Sequence, residues 1–263
     1  MVREAREDAE AGSRLSSRED NDRRETGKGA AMKPDQTLAW MNDGTDRLLA
    51  RVSGLSDVAL KGPTTLPGWS RRYLLSHMAA NADALRNLVH WARTGEERRM
   101  YASAEDREAG IAAGAEASDT EVRARVESSS TALAADLDEL GDGPGWDAKI
   151  ITAQGLTRSA SEIPWMRVRE VYIHIVDLAV GVGFGDLPPE FLTVLLDDVT
   201  VRRSSKGGGP ALIVAATDTG DRWDVAGSGS PVPVSAPLAD LTAWLTGRPA
   251  PALSTAPVLP PWL

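Results

Sequence analysis

The stretch Ser161–Gly181, SEIPWMRVREVYIHIVDLAVG, decides how the rest of the chain is read. It reads as one helix: Ser161 can cap its start, Pro164 sits in the first turn, and Gly181 stops it. Glu170 and His174 are one helical turn apart and share a face, about 5–6 Å from each other at Cβ. A carboxylate and an imidazole so placed can hold one metal ion or share one proton. The chain has only three histidines, His77, His90 and His174, so any metal site has few builders.

Working outward, the residues before this helix carry further helical patterns. Leu38, Met41, Leu48, Leu49 and Val52 fall at helical spacing between Pro34 and Val52. Residues 55–68 form a connector that closes in the turn Leu66-Pro67-Gly68-Trp69. Ser70 is a good N-cap for a helix over roughly 70–93, with Leu74, His77, Met78, Asn81, Leu85 and Leu88 inward and Gly95 past its end. Ser103 with Asp106 resembles a capping box for a short helix to about residue 114. Ser118 opens another, with the stripe Val122, Val126, Leu133, Leu137, Leu140 and a stop at Gly141. Trp146–Thr152 reads as an extended link across the bundle.

Four longer helices with connectors of varied length predict a four-helix bundle over residues 32–182. Beyond the Gly/Pro-rich hinge 183–189 the character changes. A helix over about 189–203, strand candidates at 211–217, 222–225 and 232–234, and a last helix at 236–246 predict a small α+β domain, 183–250. The fold class expected is therefore α+β, mostly α, with a Pro-rich tail over 251–263. Residues 1–31 are dense in charge and poor in bulky apolar residues. That composition cannot offset the entropy of ordering and predicts a disordered arm. Met32 begins a stretch that looks like a normal domain start, which suggests a translation start there.

Composition narrows the function classes. A formal charge of −9 argues against a nucleic-acid surface. No apolar run is long enough to span a bilayer, and the charged N-terminus lacks the apolar core of a secretory signal, so the expected location is the cytoplasm. With no cysteine at all, disulfides, thiolate zinc sites and a cysteine nucleophile are excluded. Any thiol chemistry would need its sulfur on a small molecule. No long heptad or apolar patch is evident, which points to a monomer.

His77 lies on the inward side of its helix. His90 is 13 residues on, about 220° round, so the two cannot serve one site from one helix. His90 has the polar neighbours Asn87, Arg93 and Thr94 and reads as a surface residue. Inward His and Glu side chains from facing helices are how bundles build metal sites, and His77, Glu170 and His174 would make a two-His, one-carboxylate set. Three protein ligands leave a position for water or substrate, and the donors suit Zn²⁺, though also Fe²⁺, Ni²⁺ or Mn²⁺. Pattern alone is a weak signal for a metal, because a Glu and a His at this spacing on a helix are more often a solvated ion pair. Asp177, one turn beyond His174, reads as a surface charge, with orientation of an imidazole as the alternative. Arg167 and Arg169 point at other angles round the helix and read as surface. Arg248, past the last helix, either answers the helix dipole or clamps a carboxylate.

At Leu66-Pro67-Gly68-Trp69-Ser70…His77 the sequence resembles the mycothiol-dependent maleylpyruvate isomerase family, within the broader DinB-like metal-binding bundles. The likeness continues in Asn81-Ala82-Asp83-Ala84-Leu85, in Trp91-Ala92-Arg93-Thr94-Gly95, in Pro164 to His174 and in Trp244-Leu245-Thr246-Gly247-Arg248. It spans roughly 34–248; the N-terminal arm is a departure from the family pattern. The resemblance implies a DinB-like bundle binding zinc through His77, Glu170 and His174, and a C-terminal domain whose Arg248 contributes to activity by holding a substrate carboxylate or a developing enolate. It further implies cis-trans isomerisation of maleylpyruvate to fumarylpyruvate, in gentisate degradation, with mycothiol as thiol cofactor. The mechanism so implied is thiolate addition, rotation about the resulting single bond, and elimination. Two rivals use the same scaffold: a mycothiol S-transferase acting on other electrophiles, and a non-catalytic metal-binding module.

Overall fold

The computed structural model describes residues 34–261. The charged arm and the expected start at Met32 lie outside them. Helix α1 spans Pro34–Ser53, with proline in its first turn, and a one-turn α2 follows at Asp57–Leu60. Helix α3, Arg71–Thr94, starts where Ser70 Oγ accepts from the backbone N–H of Tyr73 and ends on Gly95 at φ 76°. Helix α4, Ala104–Ala115, is capped by Ser103, and α5, Asp119–Asp138, opens with a complete capping box of Ser118 and Glu121. Helix α6, Ile163–Asp177, is the opening stretch. α1 packs on α6 and α5, and α3 packs on α5 and α6, which closes a four-helix ring.

The ends of α6 differ from the expectation. Ser161 lies in a 3₁₀ turn, Ala160–Glu162, and makes no cap. The helix stops at Asp177, before Gly181, because the Leu66–Trp69 connector and its flanks take the terminal carbonyls. Thr65 N–H donates to Asp177 O at 2.9 Å, and Arg71 donates to Leu178 O at 2.7 Å and Ala179 O at 3.1 Å. The 146–152 link is also different: Lys149–Ile151 (β1) pairs antiparallel with Thr157–Ser159 (β2) as a short hairpin.

The second half holds α7, Pro189–Lys206, a three-stranded sheet and α8, Leu238–Leu245. The sheet order is β4-β3-β5, with Pro210–Ala216 (β3) central, Arg222–Val225 (β4) antiparallel to it and Ser228–Ala236 (β5) parallel to it. β5 begins earlier than expected despite Pro231 and Pro233, which an edge strand tolerates. The chain reaches it through Gly227, where a Cβ would meet the Pro210 carbonyl at 2.4 Å. Only glycine fits so tight a passage beneath β3.

One buried cluster runs from Leu85, Leu133, Ile163 and Tyr172 in the bundle through Phe191 and Leu195 on α7 to Leu212, Val234 and Leu241. A second cluster, at the other end of the bundle, includes Leu48, Leu60, Leu74, Leu75, Val126 and Leu178. Each fully buried leucine contributes roughly 1.5–3 kcal/mol. α1 and α6 approach closely at Gly44, where a Cβ would stand 2.6 Å from Val171 Cγ2. No helix among the described residues is long and apolar enough to cross a membrane.

Candidate metal centre

Helix α3 presents His77 and α6 presents Glu170 and His174 to one point. His77 Nε2 and His174 Nε2 lie 3.0 and 3.2 Å from the same carboxylate oxygen, Glu170 Oε2. The two imidazoles meet edge to face, 5.1 Å between centroids, and Trp69 stands edge-on to His77 at 5.5 Å. One donor atom from each of the three residues lies within 4.8 Å of the others. His77 is buried.

Behind this triangle, His174 Nδ1–H donates to Asp177 Oδ2 at 2.9 Å. Asp177 also accepts from Thr65 Oγ1 at 2.9 Å and, in a fork, from Arg248 Nε at 3.0 Å and Nη2 at 2.6 Å. Expected at the surface, Asp177 is instead 0% exposed. The reason is tertiary: the 62–71 connector closes over the end of α6, and Arg248 comes in from the second half of the chain. Arg248 thus reaches the centre by way of Asp177, while its Nη1 donates to Thr246 O.

The proton inventory leaves room for either a shared proton or a metal ion. With Nδ1–H given to Asp177, Nε2 of His174 can face a carboxylate oxygen at 3.2 Å only if a proton or another cation lies between them. Accordingly, although burial opposes it, the hydrogen bonds to Asp177 and Glu170 hold the His174 imidazole above its ordinary value. Burial pushes His77 down, outweighing its bond to Glu170. Glu170 and Asp177 are also buried, but hydrogen bonds from the two imidazoles hold Glu170 well below the usual carboxylate range, and those from His174 and Arg248 bring Asp177 to about 2.

Arg167 and Arg169, expected at the surface, are both turned into protein. Arg167 is 1% exposed and donates to Met78 O at 2.8 Å, Asn81 Oδ1 at 2.9 Å and Ser130 Oγ at 3.1 Å. Arg169 pairs with Asp198 on α7 at 2.8 Å. A helical wheel gives angles and not the number of packed faces; α6 is covered by α1, α3 and α7. His90 stands apart from the centre, facing Glu96 at 3.2 Å. Arg107 escaped the sequence reading. It sits on α4, a helix with only Ile111 buried, and its Nη2 donates to His77 Nδ1 at 3.2 Å. No local pattern marks it.

Comparison with known proteins bears on this centre. Residues 41–179 match the family model described as the mycothiol maleylpyruvate isomerase N-terminal domain. That is most of the bundle, including all three donors. Two crystal structures, titled as the mycothiol-dependent maleylpyruvate isomerase and a histidine-to-alanine mutant of it, superpose with a TM-score of 0.83 at 34% identity. The match covers 88% of this chain and 98% of theirs. The chain belongs to this family. The superposition thus takes in the second half of the fold as well as the bundle. No match was found among curated proteins.

Proposed function

We propose that the protein is a metal-dependent cis-trans isomerase that converts maleylpyruvate to fumarylpyruvate with mycothiol as thiol cofactor, in the degradation of gentisate. The observation that carries this reading is the convergence of His77, Glu170 and His174 in a chain of this family. The donor set fits a divalent cation: two imidazole nitrogens and one carboxylate oxygen converge, and Asp177 orients one imidazole from behind. Zn²⁺ is the metal best suited to two imidazoles and one carboxylate, with a position left for an outside ligand. When bound, it would favour the thiolate form of a thiol near neutral pH and act as Lewis acid to the substrate.

The chain's own residues do the holding. Glu170 and the two imidazoles bring charge and neutral donors together in a buried site. Asp177 fixes the His174 ring with Nε2 free to ligate, and Arg248 and Thr65 fix Asp177. Arg248 is thus read as a positioning residue, acting through Asp177. With no cysteine in the chain, the nucleophile comes from outside. The reaction is an addition and elimination across the double bond, without net redox change.

The test is a maleylpyruvate assay with and without mycothiol, repeated after chelation and after zinc return. Turnover that needs both, with mycothiol recovered unchanged, supports the reading. Turnover without thiol or without metal overturns it. Accumulation of an S-conjugate would instead identify a mycothiol transferase, and metal binding without turnover a non-catalytic module.

A further inference from the structure

The seam between α1 and α5 opens into a cleft of about 390 Å³, toward the small end of the range for ligand pockets. None of His77, Glu170 and His174 lines it. Met41 of α1 and Leu133 of α5 give it buried apolar walls, and Asp46 and Thr131 stand exposed at its mouth. Arg167 is its one contribution from α6, and this side chain is 1% exposed.

Arg167 has donors to spare, and they lie on the cleft side. A guanidinium carries five N–H groups. Nη1 gives to Met78 O and Asn81 Oδ1 on α3, a helix that takes no part in lining the cleft. Nη2 gives to Ser130 Oγ, which does line it. The buried Nε–H has no partner among the described residues, so it and one Nη2 hydrogen remain on adjoining nitrogens. That edge can grip a carboxylate bidentately. Ser130 accepts from Nη2 and keeps its own hydroxyl hydrogen to give. Glu170 and Asp83 act on the Arg167 charge through space, without a hydrogen bond to it. A buried cation held only by neutral groups gains from an arriving carboxylate.

We propose that this cleft is a second ligand site, which binds a small monocarboxylate with an apolar body and a hydroxyl at its far end. The carboxylate sits on Arg167 and Ser130, the body lies between Met41 and Leu133, and the hydroxyl donates to Asp46. A second negative charge on the ligand would meet Asp46 and be repelled. No step of the proposed isomerisation uses Arg167, so this site stands or falls without that reading.

The experiment is calorimetry with para-hydroxybenzoate as probe, on the full chain with zinc added. It compares wild type with Arg167→Met, Thr131→Trp and His77→Ala. Thr131→Trp fills the mouth from an exposed position, and thermal melting checks that each variant is folded. Wild type is expected to bind with Kd below about 1 mM. Arg167→Met and Thr131→Trp should each weaken binding about tenfold or more, and so should the neutral para-hydroxybenzamide on wild type. His77→Ala, which disables the metal centre, should bind as wild type does. No binding to wild type by about 10 mM overturns the proposal, as does affinity kept in either cleft variant or by the amide. Loss in His77→Ala would place the acid at the metal centre and overturns it as well. A wild type without isomerase activity that binds in the expected pattern removes the reaction and leaves the cleft site standing.

Discussion

Arg248, partly buried, and Arg167, fully buried, both serve the interior around α6, and they are held in opposite ways. Arg248 forks onto the carboxylate of Asp177, which in turn fixes His174. Arg167 has no carboxylate: its acceptors are one carbonyl, one amide oxygen and one hydroxyl, and its Nε–H has no partner. Burial lowers the Arg167 value to about 10. A paired buried charge costs much to break, whereas an isolated one carries a desolvation cost that an apolar side chain would not. The first arrangement defines geometry at the metal centre. The second holds α6 against α3 and α5 by hydrogen bonds to neutral groups.

The largest effect expected from this contrast is at Asp177. Asp177→Ala leaves Arg248 and His174 without their carboxylate and should cost about 3–5 kcal/mol in urea unfolding. A loss under about 1 kcal/mol would show that the pairing is not what distinguishes the two cations. Next comes the milder Asp177→Asn, which retains an acceptor for His174 but not the charge. Zinc affinity in a competition titration should fall about 10- to 100-fold, since supports behind metal ligands commonly have that effect. Unchanged affinity would separate Asp177 from the centre.

Third is the pH dependence of the metal-free protein. Asp177 is depressed from 3.8 to about 2 in the fold. Its contribution is therefore present above about pH 4 and lost as pH falls toward 2, amounting to about 2 kcal/mol. The stability gap between wild type and Asp177→Asn should narrow over that window; a constant gap counts against the paired-carboxylate account. The smallest effect belongs to Arg167→Met. Removing an isolated buried charge offsets the loss of three hydrogen bonds, so the unfolding midpoint should shift by no more than about 1–2 kcal/mol in either direction. A loss matching that of Asp177→Ala would erase the contrast.

Much of the scaffold was legible locally. Ser70, Ser103 and Ser118 cap the helices they were read to cap, because a cap is satisfied within its own first turn. The inward stripe Leu74, His77, Met78, Asn81, Leu85, Leu88 is buried throughout. The limits of α6 were misread because its last carbonyls are taken by Thr65 and Arg71, more than a hundred residues earlier in the chain. Arg167, Arg169 and Asp177 were assigned to the surface on the assumption of one covered face. The helix is enclosed on several sides, and polar residues on the remaining faces are buried with partners.

The sequence by itself determined the helices, their caps and the donors at helical spacing, since these depend on neighbours three or four residues away. Glu170 and His174 share a face wherever that helix is placed. Tertiary structure alone decided what stands behind and beside the donors. Asp177 meets Arg248 across 71 residues of chain, and Arg107 meets His77 from another helix. Such partners are chosen by packing and by the need to satisfy buried polar groups, which no local spacing encodes.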